Sequence, residues 1–365
     1  MRSLKNIRGK KEKPLRSNEE FWDWFQENAR FFHNAVKKGT HIERDFFDIL
    51  SPKLNELREG YWFLAGMEDE STAELVLTVD GIIKNIVFVE ELIASAPKIE
   101  GWIFTALKPA INVNDVSIRM GNLEFTTDNL FFYSNDSPLY PDEIDITVVY
   151  ETYDESNQEE VTNAVYVFID NYLGELKAAT AIDNMQIIGK NQAEKELIPI
   201  DKLNDFLLWR EKEFVEKYEG TRYNTESDNY SSLEGVLDNT FPIIAIVNAT
   251  LLNWDSKASH PWMLRIEIKF NGQENGLPDD DVYDAMEEME ESLMRTLKDA
   301  DGYLNLGRQT GDNTRETFFA CKDFRLPAKV MDKFQADYAD KFAIAFEIYK
   351  DKYWLTLDHL KPDII

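Results

Sequence analysis

Outside its acids, this chain offers few residues able to do chemistry. The densest acidic run is Asp279-Asp280-Asp281, followed by Glu287, Glu288, Glu290 and Glu291. A calcium loop needs spaced oxygen ligands, a glycine at its sixth position and a glutamate at its twelfth. Counting from Asp280, the sixth position is Ala285, so that reading fails. Acids in a first helical turn instead complement the helix dipole and cap free N–H groups. The later glutamates read as a solvated helix face, and such a face would attract a Lys/Arg-rich protein. With 68 acids in the chain, a pair for acid–base work is conceivable, but no context sets one apart.

The four histidines, His33, His41, His260 and His359, have no metal-ligand spacing. His260 stands between Trp254 and Trp262 beside Pro261. It could line a small pocket, but an aromatic hairpin tip packing on its own domain is the favoured reading. A nucleophilic thiol needs a nearby base or helix N-terminus. No histidine lies near Cys321, and it reads as a core or half-buried residue. No G-x-S-x-G, P-loop or G-x-G-x-x-G occurs. No cofactor, metal or catalytic residue is therefore assigned. The candidate partner-facing residues are Asp279, Asp280, Asp281, Glu287, Glu288, Glu291, Trp254 and His260.

Charge narrows the partners. The net charge is −28, yet residues 1–16 carry seven basic groups against one acid, which leaves −34 for the rest. Such a body repels phosphate backbones, so general nucleic-acid binding is not expected, whereas a basic protein partner is. The leader reads as disordered and lacks the apolar region of a secretory signal. No apolar run is long enough to span a membrane. A single cysteine excludes an internal disulfide. These features point to the cytoplasm.

Length suggests two domains. Ser17 and Glu20 make a capping box ahead of Phe21, Trp24, Phe25, Phe31, Phe32, Ala35 and Val36 at helical spacing. A helix over 45–58 should kink or split at Pro52. Strands and helices then follow to Met185–Ile188, with Ser156 and Glu159 as a second capping box. This part is expected to be an antiparallel or mixed sheet covered by helices. The resulting division is a basic leader at 1–16, an α+β domain at 17–200, a connecting helix and linker at 201–229, and a second domain at 230–365. Within the last, 241–252 reads as a strand. Trp262, Leu264, Ile266, Ile268 and Phe270 share one face of a strand. A helix over 280–297 buries Met286, Met289 and Leu293 and puts Glu287, Glu288, Glu290 and Glu291 outside. Two strands, 303–308 and 315–321, come next, with Gly307 and Gly311 as hairpin glycines. A helix beginning at Pro327 and strands at 342–349 and 354–357 close the chain. The order from Trp262 is β-α-β-β-α-β, the split-βαβ, ferredoxin-like arrangement.

Gly276-Leu277-Pro278 ahead of the acidic helix, Glu291 within it, the Phe318-Phe319 strand running to Asp323, and Asp351, Trp354 and Pro362 at the end resemble the domain of unknown function 695 family. The resemblance implies a fold and no activity. Its shape is similar to that of the acidic regulator of ribonuclease E (inhibitor protein B), which binds an enzyme and does no catalysis. The expectation is an α+β, two-domain, non-enzymatic binding or regulatory protein. Alternatives are a hydrolase using clustered carboxylates, metal-assisted or not, and an immunity-type protein masking a basic partner.

Overall fold

Aromatic residues at helical spacing set the first element. A computed structural model describes residues 14–361. Most of the basic leader, and Pro362, lie outside the described residues. Helix α1 (Asn18–Lys38) starts where the Ser17 hydroxyl accepts the Glu20 N–H at 3.2 Å and stops at left-handed Gly39. Its buried side includes Trp22, whose indole donates to the Leu92 carbonyl at 2.8 Å. Trp24 and Phe31, expected inside, are only half-buried. A π-helical turn, Glu43–Phe47, runs straight into α2 (Asp48–Leu57). Pro52 lies inside α2 without splitting it.

The chain divides into two units: residues up to Ala110 with Gly174–Leu176, and Ile111–Leu173 with everything from Lys177 onward. In the first, β1 (Trp62–Met67) pairs antiparallel with β2 (Ala73–Thr78). Helix α3 (Ile83–Ala94) crosses over to β3 (Trp102–Ala106), which is parallel to β2. Phe25, Phe32, Phe46, Trp102 and Phe104 form an aromatic core in which Phe25 meets Trp102 and Phe104, and Phe32 meets Phe46, edge-to-face. Glu175, 1% exposed, closes this unit. Its carboxylate accepts the N–H groups of Val79, Gly81 and Lys108 at 3.0, 3.1 and 3.0 Å.

In the second unit, β4 (Ile118–Met120) and β5 (Leu123–Phe125) form a hairpin. Strands β6 (Leu130–Ser134) and β7 (Asp145–Tyr150), helices α4 (Gln158–Leu173) and α5 (Glu175–Ala181), and strands β8 (Asn184–Gly189) and β9 (Ile198–Pro199) follow. The sheet order is β8-β7-β6-β9. The strands between 62 and 199 thus make three sheets rather than one, because β1–β3 and β6–β9 each have their own helical cover. Val161, Val165 and Phe168 of α4 pack over β6–β9 with Leu203 and Leu207 of α6 (Leu203–Tyr218). The cap before α4 is Asp154 and not Ser156. The Ser156 hydroxyl is spent as a donor to the Asp154 carboxylate at 2.6 Å, and a carboxylate is the better acceptor for free N–H groups.

The remaining strands form one antiparallel sheet. They are β10 (Tyr230–Val236), β11 (Pro242–Asn248), β12 (Trp262–Lys269), β13 (Tyr303–Gly311), β14 (Thr314–Cys321) and β15 (Ala343–Lys350), in the order β10-β11-β13-β14-β12-β15. The expected 241–252 strand stops at Asn248, whose side chain accepts the Leu251 N–H and caps the short α7 (Ala249–Leu252). Helix α8 (Asp280–Thr296) links β12 to β13, and α9 (Arg325–Tyr338) links β14 to β15. Strand β13 runs on past Gly307, which forms a bulge instead of a hairpin end. A Cβ there would stand 2.4 Å from the Ile246 carbonyl, at φ +134°, so only glycine fits. Residues 354–357 are no strand. Asp351 accepts the N–H groups of Leu355 and Thr356 and closes a 3-10 turn over Leu355–Leu360.

The fold is α+β. Among the described residues, no helix is long and apolar enough to cross a membrane.

Candidate functional site

Helix α8 begins because Asp279, in extended conformation, accepts the Val282 N–H at 2.9 Å while Asp280 and Asp281 occupy the first turn. Met286, Met289 and Leu293 are buried. Glu290 is buried too, and Glu287 is half-buried, so two of the four glutamates expected outside turn inward. The sequence carried the signal for Glu290: Met286, Glu290 and Leu293 stand at i, i+4 and i+7, the spacing of one helix face.

Two arginines that spacing alone did not reveal meet these acids. Arg315 on β14 is 1% exposed. Its guanidinium donates to Glu287 at 2.9 Å and to the Thr310 hydroxyl at 3.1 Å, and it stacks 5.0 Å from the Tyr283 ring. Arg308 on β13 donates to Glu290 at 2.8 Å and reaches Glu287 at 2.9 Å and the Tyr283 hydroxyl at 3.2 Å. Asn305 completes the set on Glu290 at 2.8 Å. Burial pulls the Arg315 pKa down, and neighbouring Arg308 adds to that. Burial also opposes the charge of Arg308, but Glu290 and Glu287 outweigh it and its pKa is raised. The inward acids are thus neutralised.

The outward acids are not treated this way. Asp279, Asp280, Asp281, Asp284, Glu288 and Glu291 are all exposed. Glu291 meets Arg295 one turn on at 3.6 Å, with both side chains about two-thirds exposed (66% and 68%). A pair so open contributes about 0.3–0.5 kcal/mol.

Trp254 and His260 lie elsewhere, beside the opposite face of the sheet. Trp254 is half-buried between Tyr223, His260 and Trp354, at centroid distances of 4.8, 5.5 and 6.2 Å. His260 is wholly buried and stands on no surface. Its Nδ1 lies 2.9 Å from the Ser259 hydroxyl, its carbonyl accepts the Trp354 indole N–H at 3.1 Å, and its Nε2 has no partner among the described residues. Burial first, then Lys322 and Arg222, push its pKa down to about 3, so the ring stays neutral. Residues 254–260 and α8 therefore do not form one site. Cys321 is buried, and burial pushes its thiol pKa up.

A second charged cluster was not legible at all, because the partners in its bonds stand some 40 to 210 residues apart. Lys352, 5% exposed, donates to Asp183 at 2.7 Å and to the Asp142 carbonyl at 2.6 Å, and Lys350 reaches Asp183 at 2.9 Å. Burial, then Lys350, bring the Lys352 pKa down to about 8, against the pull of Asp183 and Asp142. The Asp142 carboxylate accepts from Lys217, Tyr218 and Tyr353 at 2.7, 2.8 and 2.8 Å. An amine with a lowered pKa can act as a base or nucleophile. This one is buried and held by two oxygens, which is the arrangement of a fastening. Among the described residues, no group of three or more His, Cys, Asp or Glu side chains is placed to hold a metal ion.

Fold and site together define an α+β domain with one antiparallel sheet, an acidic helix and inward acids locked by arginines. Residues 233–360 match a family of unknown function, DUF695, and this part of the chain is a domain of that family. No curated protein and no solved structure matches the chain.

Proposed function

We propose that this chain is a non-enzymatic cytoplasmic binding protein that takes a basic protein partner on the outward face of α8. The observation behind this reading is how the helix treats its acids. Glu287 and Glu290 are consumed by Arg308 and Arg315, while Asp280, Asp281, Asp284, Glu288 and Glu291 stay exposed on a chain of net charge −28. Such a field speeds the approach of a Lys/Arg-rich surface and selects against an acidic one. Asp279 has a role already, as the helix cap, and lies at the rim of this face.

The domain is read as ferredoxin-like. The order β12-α8-β13-β14-α9-β15 in sequence, with β15-β12-β14-β13 across the sheet, supports that reading. It also supports the likeness in shape to the acidic ribonuclease E regulator. Fold likeness carries function weakly, so the proposal rests on the charge. Masking a basic toxin, in the manner of an immunity protein, is a special case of it. A carboxylate hydrolase has less support, since the acids that gather, Glu287 with Glu290 and Asp142 with Asp183, are tied to arginines, lysines and tyrosines.

The test is capture from cell lysate with the native chain and with a triple variant, Asp281→Lys, Asp284→Lys and Glu288→Lys. A Lys/Arg-rich protein held in stoichiometric amount by the native chain, lost with the variant and released by salt is the expected result. No stoichiometric partner, or one that the variant keeps, defeats the proposal.

A further inference from the structure

Strand β1 is an edge strand, and its composition is unlike the rest of the molecule. Its six residues, Trp62-Phe63-Leu64-Ala65-Gly66-Met67, carry no charge, proline or bulge on a chain of net charge −28. Edge strands are commonly blunted by such features, because their free N–H and C=O groups are a template for another strand. Among the described residues, no strand pairs with β1 on the side away from β2. Phe63 faces the aromatic cluster, with its ring 6.1 Å from Phe46 and 5.4 Å from Phe47. Trp62 and Leu64 face the other way and are 61% and 53% exposed. Gly66 shares their face, and a Cβ built on it would meet nothing within 4 Å.

We infer that β1 pairs antiparallel with β1 of a second copy of this chain, about a two-fold axis at Leu64. The register identifies the occupant. An antiparallel strand centred on Leu64 sets Leu64 against Leu64 and Phe63 against Ala65. It also sets Trp62 of each copy against Gly66 of the other, twice over. A cross-strand aromatic covers the backbone that an edge glycine leaves bare, and the open space above Gly66 accepts that ring. The acidic turn after β1, Glu68–Glu70, then lies beyond the partner's strand instead of against its own mate. Moving the register by one residue would place the two tryptophans on opposite faces, and moving it by two would set Trp62 against Leu64 or Glu68 and leave Gly66 bare. An isologous contact of this kind closes on itself, because each copy's β1 edge is taken up by the other's.

The experiment is light scattering on the full chain over a range of protein and salt concentrations, joined to cysteine crosslinking. Cys321 is the chain's one cysteine and is buried, so an introduced thiol reports alone. Expected results are twice the chain mass at high concentration and a dimer that tightens as salt screens the mutual repulsion of two acidic bodies. Leu64→Cys should crosslink to itself under mild oxidation, since directly opposed Cα atoms sit about 4.5–5.5 Å apart. Gly66→Cys, offset by four residues from its own mate, should not. Trp62→Lys should raise the dissociation constant about tenfold or more. A single chain mass under all conditions overturns the inference. So does a dimer in which Leu64→Cys fails to crosslink, or one that Trp62→Lys leaves intact while circular dichroism reads native. Should Trp62→Lys fail to fold, the crosslinking pair decides.

Discussion

His260 is the residue whose environment departs furthest from what its neighbours in sequence suggest. Trp254, Pro261 and Trp262 look like a hairpin tip. Trp254 lies against the ring, but the His260 carbonyl is bound by the indole of Trp354, more than ninety residues away, and no local pattern encodes that. Its folded pKa of about 3 lies below the ordinary 6.5, so the unfolded chain takes up a proton first as pH falls. The stability from keeping the ring neutral is therefore whole above pH 6.5 and is lost as pH falls toward 3. One proton sets a slope of about 1.4 kcal/mol per pH unit. Urea denaturation between pH 6.5 and 5, ahead of most carboxylates, should show that slope in the native chain and lose it in His260→Phe. Arg315 is the other such residue. Truncating Arg315→Ala leaves Glu287 half-buried with Arg308 alone and opens a void over Tyr283. The expected cost is about 3–5 kcal/mol. Arg315→Lys should recover only part of it, since an ammonium cannot serve Glu287 and Thr310 at once in the planar geometry of the fork. Denaturant midpoints at constant slope test both substitutions.

At the scale of elements, period was a good guide and end chemistry a poor one. The alternation of Trp262, Leu264, Ile266 and Ile268 placed β12 and its more buried face, because successive side chains point to opposite faces, although Met263 is buried on the other one. What spacing could not decide was competition for backbone groups. Asp154 took the cap that Ser156 was expected to fill, Asn248 turned a strand into α7, and Asp351 folded 354–357 into a 3-10 turn. In each case a carboxylate or amide oxygen claimed N–H groups that the hydrophobic pattern had assigned elsewhere. Glu175 does the same across a longer distance, tying the turn after β2 to the end of β3. Glu175→Ala strands three backbone donors, each costing about 1–3 kcal/mol when buried and unmet. The predicted loss is several kcal/mol, concentrated in residues 14–110. Hydrogen exchange at Val79, Gly81 and Lys108 should accelerate more than at β12. Equal acceleration everywhere would mean that Glu175 supports the chain globally instead.

At the scale of the second unit, the cluster around Asp183 and Asp142 fastens the residues after β15 to the start of β7, the start of β8 and the end of α6. Its partners are not equivalent. Burial works against the charge on Lys352, and Lys350 adds to that, whereas Asp183 serves Lys350, Lys352 and the Ile144 N–H together. Removing Asp183 as Asp183→Asn leaves two lysines without their carboxylate in a buried setting, at a cost of about 3–5 kcal/mol. Removing Lys352 as Lys352→Met takes away a charge that burial already disfavours and should cost clearly less. The pH dependence separates the two. The folded Lys352 pKa of about 8 lies below the ordinary 10.5, so between those values the unfolded chain holds the extra proton and stability rises with pH. Tyr218 and Tyr353, whose pKa values burial and Asp142 raise, act with the opposite sign, but only above about pH 10, where unfolded tyrosines ionise. The buried Cys321 thiol, whose pKa burial raises, also acts with the opposite sign once the unfolded thiol ionises at about pH 9. The difference between the two chains is therefore the readout: urea midpoints between pH 8 and 10 should rise with pH more steeply in the native chain than in Lys352→Met. Profiles of equal slope in the two chains would mean that Asp183 holds this lysine charged throughout the range, and the ranking of the two substitutions should then reverse.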